Sequence, residues 1–349
     1  MKHLLLLLSL LAVFASQAQQ TTSERLIAKM KAEIKAGTYT KIDGILVSQG
    51  GKLRLETYFN DFDEKGRHDT RSSFKSITSM LAGIAIDQGI LKLDDNLGKF
   101  FPEVTDSAKK TITLQNLLEM RSGLNCEEFL GIGPDCEGEM WDTDNWVEYC
   151  INVPIKSAPG LNFSYNSNEP MLVGEIISRA SGMSVMDFAA QNLFGPLGIT
   201  DYKWTIAPEG SGMTAGSFYM LPQDMLKIAE LVRNKGKWEG KQIVSEAWLE
   251  QSTACQFTID FSFTRYSRFH EAKYSNTCYG FFWYRELLQY DDIETEVLFA
   301  SGNGGQYMMY LADYDATVVF TGSNYGSWRG KWPFEILLRY IIPMLEETD

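Results

Sequence analysis

Arg71-Ser72-Ser73-Phe74-Lys75-Ser76-Ile77-Thr78-Ser79-Met80-Leu81-Ala82-Gly83-Ile84-Ala85-Ile86-Asp87-Gln88-Gly89 is the stretch around which the rest of the chain is organised. Ser72 and Lys75 are three apart, so a helix beginning at Ser72 puts both on one face, with the lysine nitrogen in reach of the serine oxygen. Behind them Ile77, Met80, Leu81, Ile84 and Ala85 repeat at helical spacing, which predicts a helix driven into a core and stopped at Gly89. Burial of that first turn has two chemical consequences. A low dielectric disfavours the ammonium, which would bring Lys75 below its ordinary value of about 10.4 and let it act as a base. The unpaired first-turn N–H groups offer partial positive charge to a developing oxyanion. The plainer reading makes Ser72 a helix cap beside a surface lysine.

Context separates this stretch from a second one with the same spacing. Ser107-Ala108-Lys109-Lys110 lies in polar sequence with no apolar helix behind it and reads as a solvated loop.

Upstream, Met1-Lys2-His3, an apolar run over residues 4–15 and Ser16-Gln17-Ala18 read as a secretory signal peptide cleaved after Ala18. The run is too short to span a bilayer, and no cysteine follows it to carry a lipid anchor. The expected location is therefore periplasmic or secreted. With 44% hydrophobic and 22% charged residues in 349, the chain has ordinary globular composition. Its formal net charge of −13 argues against nucleic acid or an anionic membrane surface as a partner.

An oxidising compartment makes the five cysteines informative. Cys126 and Cys136 bracket a short loop, Cys255 and Cys278 a longer polar one, and either pair can be bridged; Cys150 would be left over. Five reduced, buried thiols are equally compatible with the spacing. Outside the leader only His68 and His270 remain, with no Cys-x-x-Cys or His-Glu-x-x-His, so neither a metal nor a cofactor is expected.

Along the chain, residues 19–38 predict an amphipathic helix. Residues 42–49 and 52–59 alternate apolar with polar around Gly50-Gly51, a hairpin signal. Helical periodicity follows at 114–120, 141–151, 171–180, 185–193 and 225–234. Strand patterns return at 281–285, 295–300, 306–311 and 316–321, before a final helix over 332–345. Strands at both ends with helices between predict an α+β fold: one antiparallel sheet built from both chain ends, with a helical region at roughly 76–270 inserted between its halves. Residues 19–349 thus read as one catalytic domain.

The chain resembles the serine β-lactamase-related hydrolases, the group that includes class C β-lactamases, D-alanyl-D-alanine carboxypeptidases, some esterases and the 6-aminohexanoate-dimer hydrolases. The likeness covers nearly all of residues 19–349. It is carried in order by His68-Asp69-Thr70-Arg71-Ser72-Ser73-Phe74-Lys75-Ser76, Leu117-Leu118-Glu119-Met120-Arg121-Ser122-Gly123-Leu124, Pro159-Gly160 with Tyr165, Gly195-Pro196-Leu197-Gly198, Tyr279-Gly280-Phe281-Phe282-Trp283 and Gly302-Asn303-Gly304-Gly305-Gln306. The resemblance implies a β-lactamase/transpeptidase-like fold and an acyl-enzyme mechanism, with Ser72 as nucleophile, Lys75 as its activating partner and Tyr165 as the second proton-transfer group. Tyr58-Phe59-Asn60 and Tyr274-Ser275-Asn276 match the family's Tyr-x-Asn literally, but Tyr165 follows Pro159-Gly160 and precedes an apolar helix, as the family's tyrosine does. Ser167 then stands where the family has asparagine. The Ser72 and Gln306 N–H groups would form the oxyanion hole, with Asn303, Gly304, Gly305, Ser167 and Trp283 at the substrate.

Asn303 occupies a place where the family often has Lys or His, so a cation for a substrate carboxylate is missing there. That favours an esterase or 6-aminohexanoate-oligomer-hydrolase type of enzyme, acting on a small-molecule or short peptide-like substrate, over a true β-lactamase. Two alternatives stay open: a D-Ala-D-Ala carboxypeptidase or β-lactam-interacting enzyme, and a non-catalytic binding or regulatory member of the fold. No Gly-x-Ser-x-Gly elbow occurs, and His68 reads as a loop residue near the site rather than a base.

Overall fold

Gly50 and Gly51 take φ of 57° and 75°, the left-handed conformation that a two-residue hairpin turn requires and that glycine adopts without strain. They join β1 (Ile42–Gln49) to β2 (Lys52–Tyr58) in an antiparallel pair. The structure, a computed structural model, describes residues 21–128 and 133–347; the expected leader and its cleavage point lie outside the described residues.

From the far end of the chain come β3 (Tyr284–Tyr290), β4 (Ile293–Gly302), β5 (Gln306–Leu311) and β6 (Ala316–Gly322). β6 pairs with β1, which closes the two chain ends into one sheet of order β2-β1-β6-β5-β4-β3, continued by the short strands Cys278–Tyr279 and Phe257–Thr258. These pairings are all antiparallel. β6 is buried throughout and β1 nearly so, because helices cover both faces. α1 (Thr22–Lys35) packs on the C-terminal helical segment, which runs over residues 332–346 with a wide turn at Leu337–Ile341 ahead of Pro343.

Helix α2 (Phe74–Asp87) runs through the centre, buried at every position from Phe74 to Ala85. It packs on α3 (Asn168–Ser181), while α4 (Pro222–Arg233) lies along β6 and β5. Gly83 marks the crossing of Trp248, where an added β-carbon would meet the indole at 2.1 Å. The short helices of the inserted region start where the sequence supplies a cap: Asn96, Asp106, Thr113, Asp135, Asn145 and Ser184 each accept a first-turn N–H.

Two local expectations are corrected. Ser107–Lys110 is a one-turn helix rather than a solvated loop, because Asp106 caps it and the buried Lys109 donates to the Ile151 carbonyl at 2.7 Å. The strand expected from Phe281 begins only at Tyr284: residues 280–283 turn back, with Phe282 at φ 63°, and the Phe282 carbonyl accepts from Ser76 Oγ on α2 at 2.6 Å. Cys126–Cys136 and Cys255–Cys278 are disulfides, and Cys150 is a buried free thiol. Among the described residues no helix is long and apolar enough to cross a membrane.

Candidate active site

The approach to Ser72 is a strained corner. Arg71 takes φ of 47°, uncommon without glycine, and Asp69 holds it there: Oδ1 accepts the Arg71 N–H at 2.9 Å and Oδ2 pairs with Nε at 2.9 Å. Ser72 lies in a 3-10 turn, Arg71–Ser73, that runs directly into α2. In such a turn i and i+3 eclipse, which aims Lys75 back at Ser72 more directly than an α-helix would. The backbone of this corner is approached closely by Gly216 on one side and Gly302 on the other.

Lys75 is 2% exposed, and its Nζ donates to Ser72 Oγ at 3.1 Å, Ser167 Oγ at 3.2 Å and the Ala215 carbonyl at 2.8 Å. Those three partners use the three donors of an ammonium. Tyr165 presents its ring to Lys75, with the centroid 5.0 Å from Nζ, and its hydroxyl is hydrogen-bonded to Tyr284. Ser167, just ahead of α3, donates to Glu128 Oε2 at 2.9 Å and also contacts Glu137 Oε2. Burial pushes Glu128 up to about 7, against the pull of Lys75 and with Glu137 adding to the rise. The second residue of α3, the fully buried Glu169, is pushed up to about 8 by desolvation; Ser122 and Asn166 hydrogen-bond its Oε1.

Ser72 opens onto a cavity of about 550 Å³. Glu128, Glu137 and Tyr165 line it with residues 215–217; Ser301, Asn303, Trp328 and Lys331 line it from the sheet edge and the C-terminal region; Phe261, Tyr266 and Tyr284 add aromatic surface. Ser72, Lys75, Tyr165, Ser167 and Asn303 are thus brought together. Asn303 accepts the Gly326 N–H at 2.9 Å.

Gln306, Gly304, Gly305 and Trp283 are not on the cavity wall. Gln306 begins the next strand and turns its amide to the Gly322 carbonyl. Gly304 and Gly305, at φ 95° and 104°, make room for Tyr325 and the Gly330 backbone rather than for a ligand. Trp283, 2% exposed, leaves its turn into the core. The strand edge beside Ser72 is instead residues 301–303. His68 is buried in the strand His68–Asp69 with Nε2 3.4 Å from Thr321 Oγ1, and burial lowers it to about 4. Tyr58 bonds Glu56 in the hairpin, and Tyr274 is exposed on a sheet strand. Among the described residues no three His, Cys, Asp or Glu side chains converge as metal ligands.

The family model described as Beta-lactamase matches residues 30–333. The chain belongs to the Beta-lactamase family. Within it, the chain is 23% identical over 227 residues to the 6-aminohexanoate-dimer hydrolase of Paenarthrobacter ureafaciens, covering 62% of this chain and 58% of that one. It is 29% identical over 140 residues to the D-alanyl-D-alanine-carboxypeptidase/endopeptidase AmpH of Escherichia coli (strain K12), covering 39% and 36%. These matches therefore span less than two thirds of the length of the curated relatives. The octameric penicillin-binding protein homologue from Pyrococcus abyssi has the same fold, with a TM-score of 0.68 at 17% identity over 91% of this chain and 78% of that one.

Within this Beta-lactamase family fold, sequence reasoning missed Glu128, Glu137 and Lys331. The cysteines were a usable signal, since Glu128 lies inside the loop they bridge and Glu137 directly follows Cys136, which leaves few places to put the two acids. Nothing in the sequence marked Lys331, which reaches the cavity only because the C-terminal segment folds back over β4 and β5.

Proposed function

We propose that this chain is an exported serine hydrolase that cleaves an ester or amide bond through an acyl-enzyme on Ser72, nearer in chemistry to the esterase and 6-aminohexanoate-oligomer hydrolase members than to a β-lactamase. The observation that carries the reading is the 3.1 Å contact of Ser72 Oγ with the buried Lys75 Nζ at the floor of an accessible cavity. Lys75 takes the Ser72 proton as Oγ attacks the carbonyl carbon. The oxyanion meets the Ser72 N–H and an N–H from residues 301–303, the edge beside it. Tyr165, on the cavity wall, protonates the leaving group, and water repeats the steps in reverse roles to free the acid.

Asn303 supplies no cation, which is the reason for placing the chain away from β-lactam substrates. A peptidase acting next to a substrate carboxylate is the second reading, and one observation favours it. Lys331 lies on the cavity wall over the Phe263 ring, 4.5 Å from its centroid, with neither a hydrogen bond nor an ion pair among the described residues.

A fluorophosphonate probe followed by peptide mapping tests the proposal. Label on Ser72, with turnover of p-nitrophenyl esters or linear ω-amino-acid amides, supports it. An unlabelled, inactive but folded protein would make this a binding member of the family.

A further inference from the structure

Ser167 stands where the resemblance implies an asparagine, and the difference is chemical. An amide side chain can hold Lys75 but offers no ready path for a proton, whereas a hydroxyl can accept one proton while releasing another. Here the hydroxyl has somewhere to send it. Ser72 Oγ, Lys75 Nζ, Ser167 Oγ and Glu128 Oε2 form a continuous chain with links of 3.1, 3.2 and 2.9 Å, and Glu137 Oε2 meets the same hydroxyl. The Tyr165 hydroxyl is bonded to Tyr284, and its ring faces Lys75. One hydroxyl has one hydrogen and donates to one carboxylate at a time. The second carboxyl meets it favourably only when protonated, so the two acids share one exchangeable proton.

We infer that the acid pair Glu128 and Glu137, reached through the Ser167 hydroxyl, takes and returns the Lys75 proton during turnover at Ser72, a role that rests on the acyl-enzyme reading above. Before attack, a Lys75 N–H proton passes to Ser167 Oγ as the Ser167 proton passes to Glu128. One N–H and one O–H bond break, two O–H bonds form, and an ammonium facing a carboxylate becomes an amine facing a carboxylic acid. The Lys75 lone pair is then free to take the Ser72 proton. On hydrolysis of the acyl-enzyme the Glu128 proton returns by the same path. Glu128 lines the cavity, but its hydrogen-bonded path to Ser72 runs only through Ser167 and Lys75, so in activating Ser72 it is a positioning residue.

The other titratable groups around Glu128 are Lys75 on α2, Glu137 on the helix Cys136–Trp141, Tyr149 and Cys150 on the helix Trp146–Asn152, and Glu169 on α3. Tyr149 and Cys150 are pushed upward and stay neutral in the range of interest. Glu169 is pushed up to about 8, close enough to Glu128 at about 7 to need its own control.

The experiment reads the rate of fluorophosphonate labelling from about pH 5 to about pH 9, which follows Ser72 activation without knowledge of the substrate. In the wild-type protein the rate should rise with pH through about 7, as the shared proton leaves and the pair becomes an acceptor. Glu128→Gln should label at least about tenfold more slowly and lose that rise, and Glu128→Asp should recover part of both. Ser167→Ala, which leaves both acids in place, should reproduce the slow, flat profile even if the Glu128 variant folds poorly. Glu169→Gln should keep the wild-type profile. Folded Glu128→Gln and Ser167→Ala proteins that label at the wild-type rate with the wild-type profile would overturn the relay, as would a profile that follows Glu169. Ser72→Ala that still labels would instead overturn the acyl-enzyme reading beneath it.

Discussion

A β-carbon placed on Gly302 would stand 2.3 Å from the Thr70 carbonyl oxygen and 3.1 Å from the Arg71 β-carbon. The end of β4 is therefore pressed against the corner that presents Ser72, and only the absence of a side chain permits it. Gly302→Ala should push the strand edge away from Ser72. The cost in stability should be about 1–3 kcal/mol, as for other overpacked positions. Labelling of Ser72 should fall by at least about tenfold while the protein stays folded by circular dichroism, since one of the two proposed oxyanion donors moves with the edge.

Ser72→Ala should abolish turnover and covalent labelling together. Lys75→Ala and Tyr165→Phe should each lower the maximal rate by at least about a hundredfold, the lower end of what a positioned acid or base contributes. Their combination should cost much less than the product of the two, because both serve the same proton transfers. Steady-state kinetics on one ester and one amide checks this, and the amide should suffer more from Tyr165→Phe because its leaving group needs the proton more. A Tyr274→Phe protein as impaired as this one would mean the tyrosine has been wrongly chosen.

Recognition should separate from chemistry. Asn303→Ala should alter preference among substrates more than it alters the reaction with a small activated ester. Lys331→Met keeps the contact with Phe263 and removes the charge. If a carboxylate-bearing substrate is natural to this cavity, that variant should raise its KM at least about tenfold and leave a neutral ester unchanged, the pattern of lost uniform binding. Equal effects on both substrates would remove Lys331 from recognition.

How much of this was legible in the sequence follows from how local each signal is. Gly50 and Gly51 announced a hairpin because the turn itself requires positive φ at both positions. Ser72 and Lys75 announced a pair because three residues and one turn of helix decide their distance. Glu128 and Glu137 reach Ser167 across 39 and 30 residues, and their arrival depends on a loop closure that no periodicity records. The direction of the Gln306 side chain, toward the Gly322 carbonyl, was not legible, because a strand-edge motif read without its turn cannot say which of two adjacent strands faces Ser72. The same limit explains Trp283, whose residue type suits a binding wall but whose turn points it into the core.

Glu169 makes stability depend on pH in a definite direction. An unfolded glutamate titrates near 4.5, whereas the buried side chain holds its proton up to about 8. Between those values the native state binds a proton that the unfolded chain has lost, so this residue's contribution is complete below about pH 4.5 and declines as pH rises toward 8. Glu169→Gln keeps the shape without the titration and should flatten that decline. Denaturant unfolding of both proteins at several pH values in this window checks the slope, and parallel slopes would count against a protonated Glu169.

Cys126 of the Cys126–Cys136 bridge lies two residues before Glu128, and Cys136 lies one residue before Glu137. Its span is short and its ends are already held, by the Ser164 hydroxyl on the Cys126 carbonyl and by the Asp135 cap on the following helix. Cutting it would leave the sheet, α2 and the contact of Ser72 with Lys75 in place. What would loosen is the tether on the two acids, so the redox state of this one bridge becomes an input to the site: a Cys126→Ser, Cys136→Ser protein, which keeps Cys255–Cys278, should label at Ser72 more slowly without unfolding.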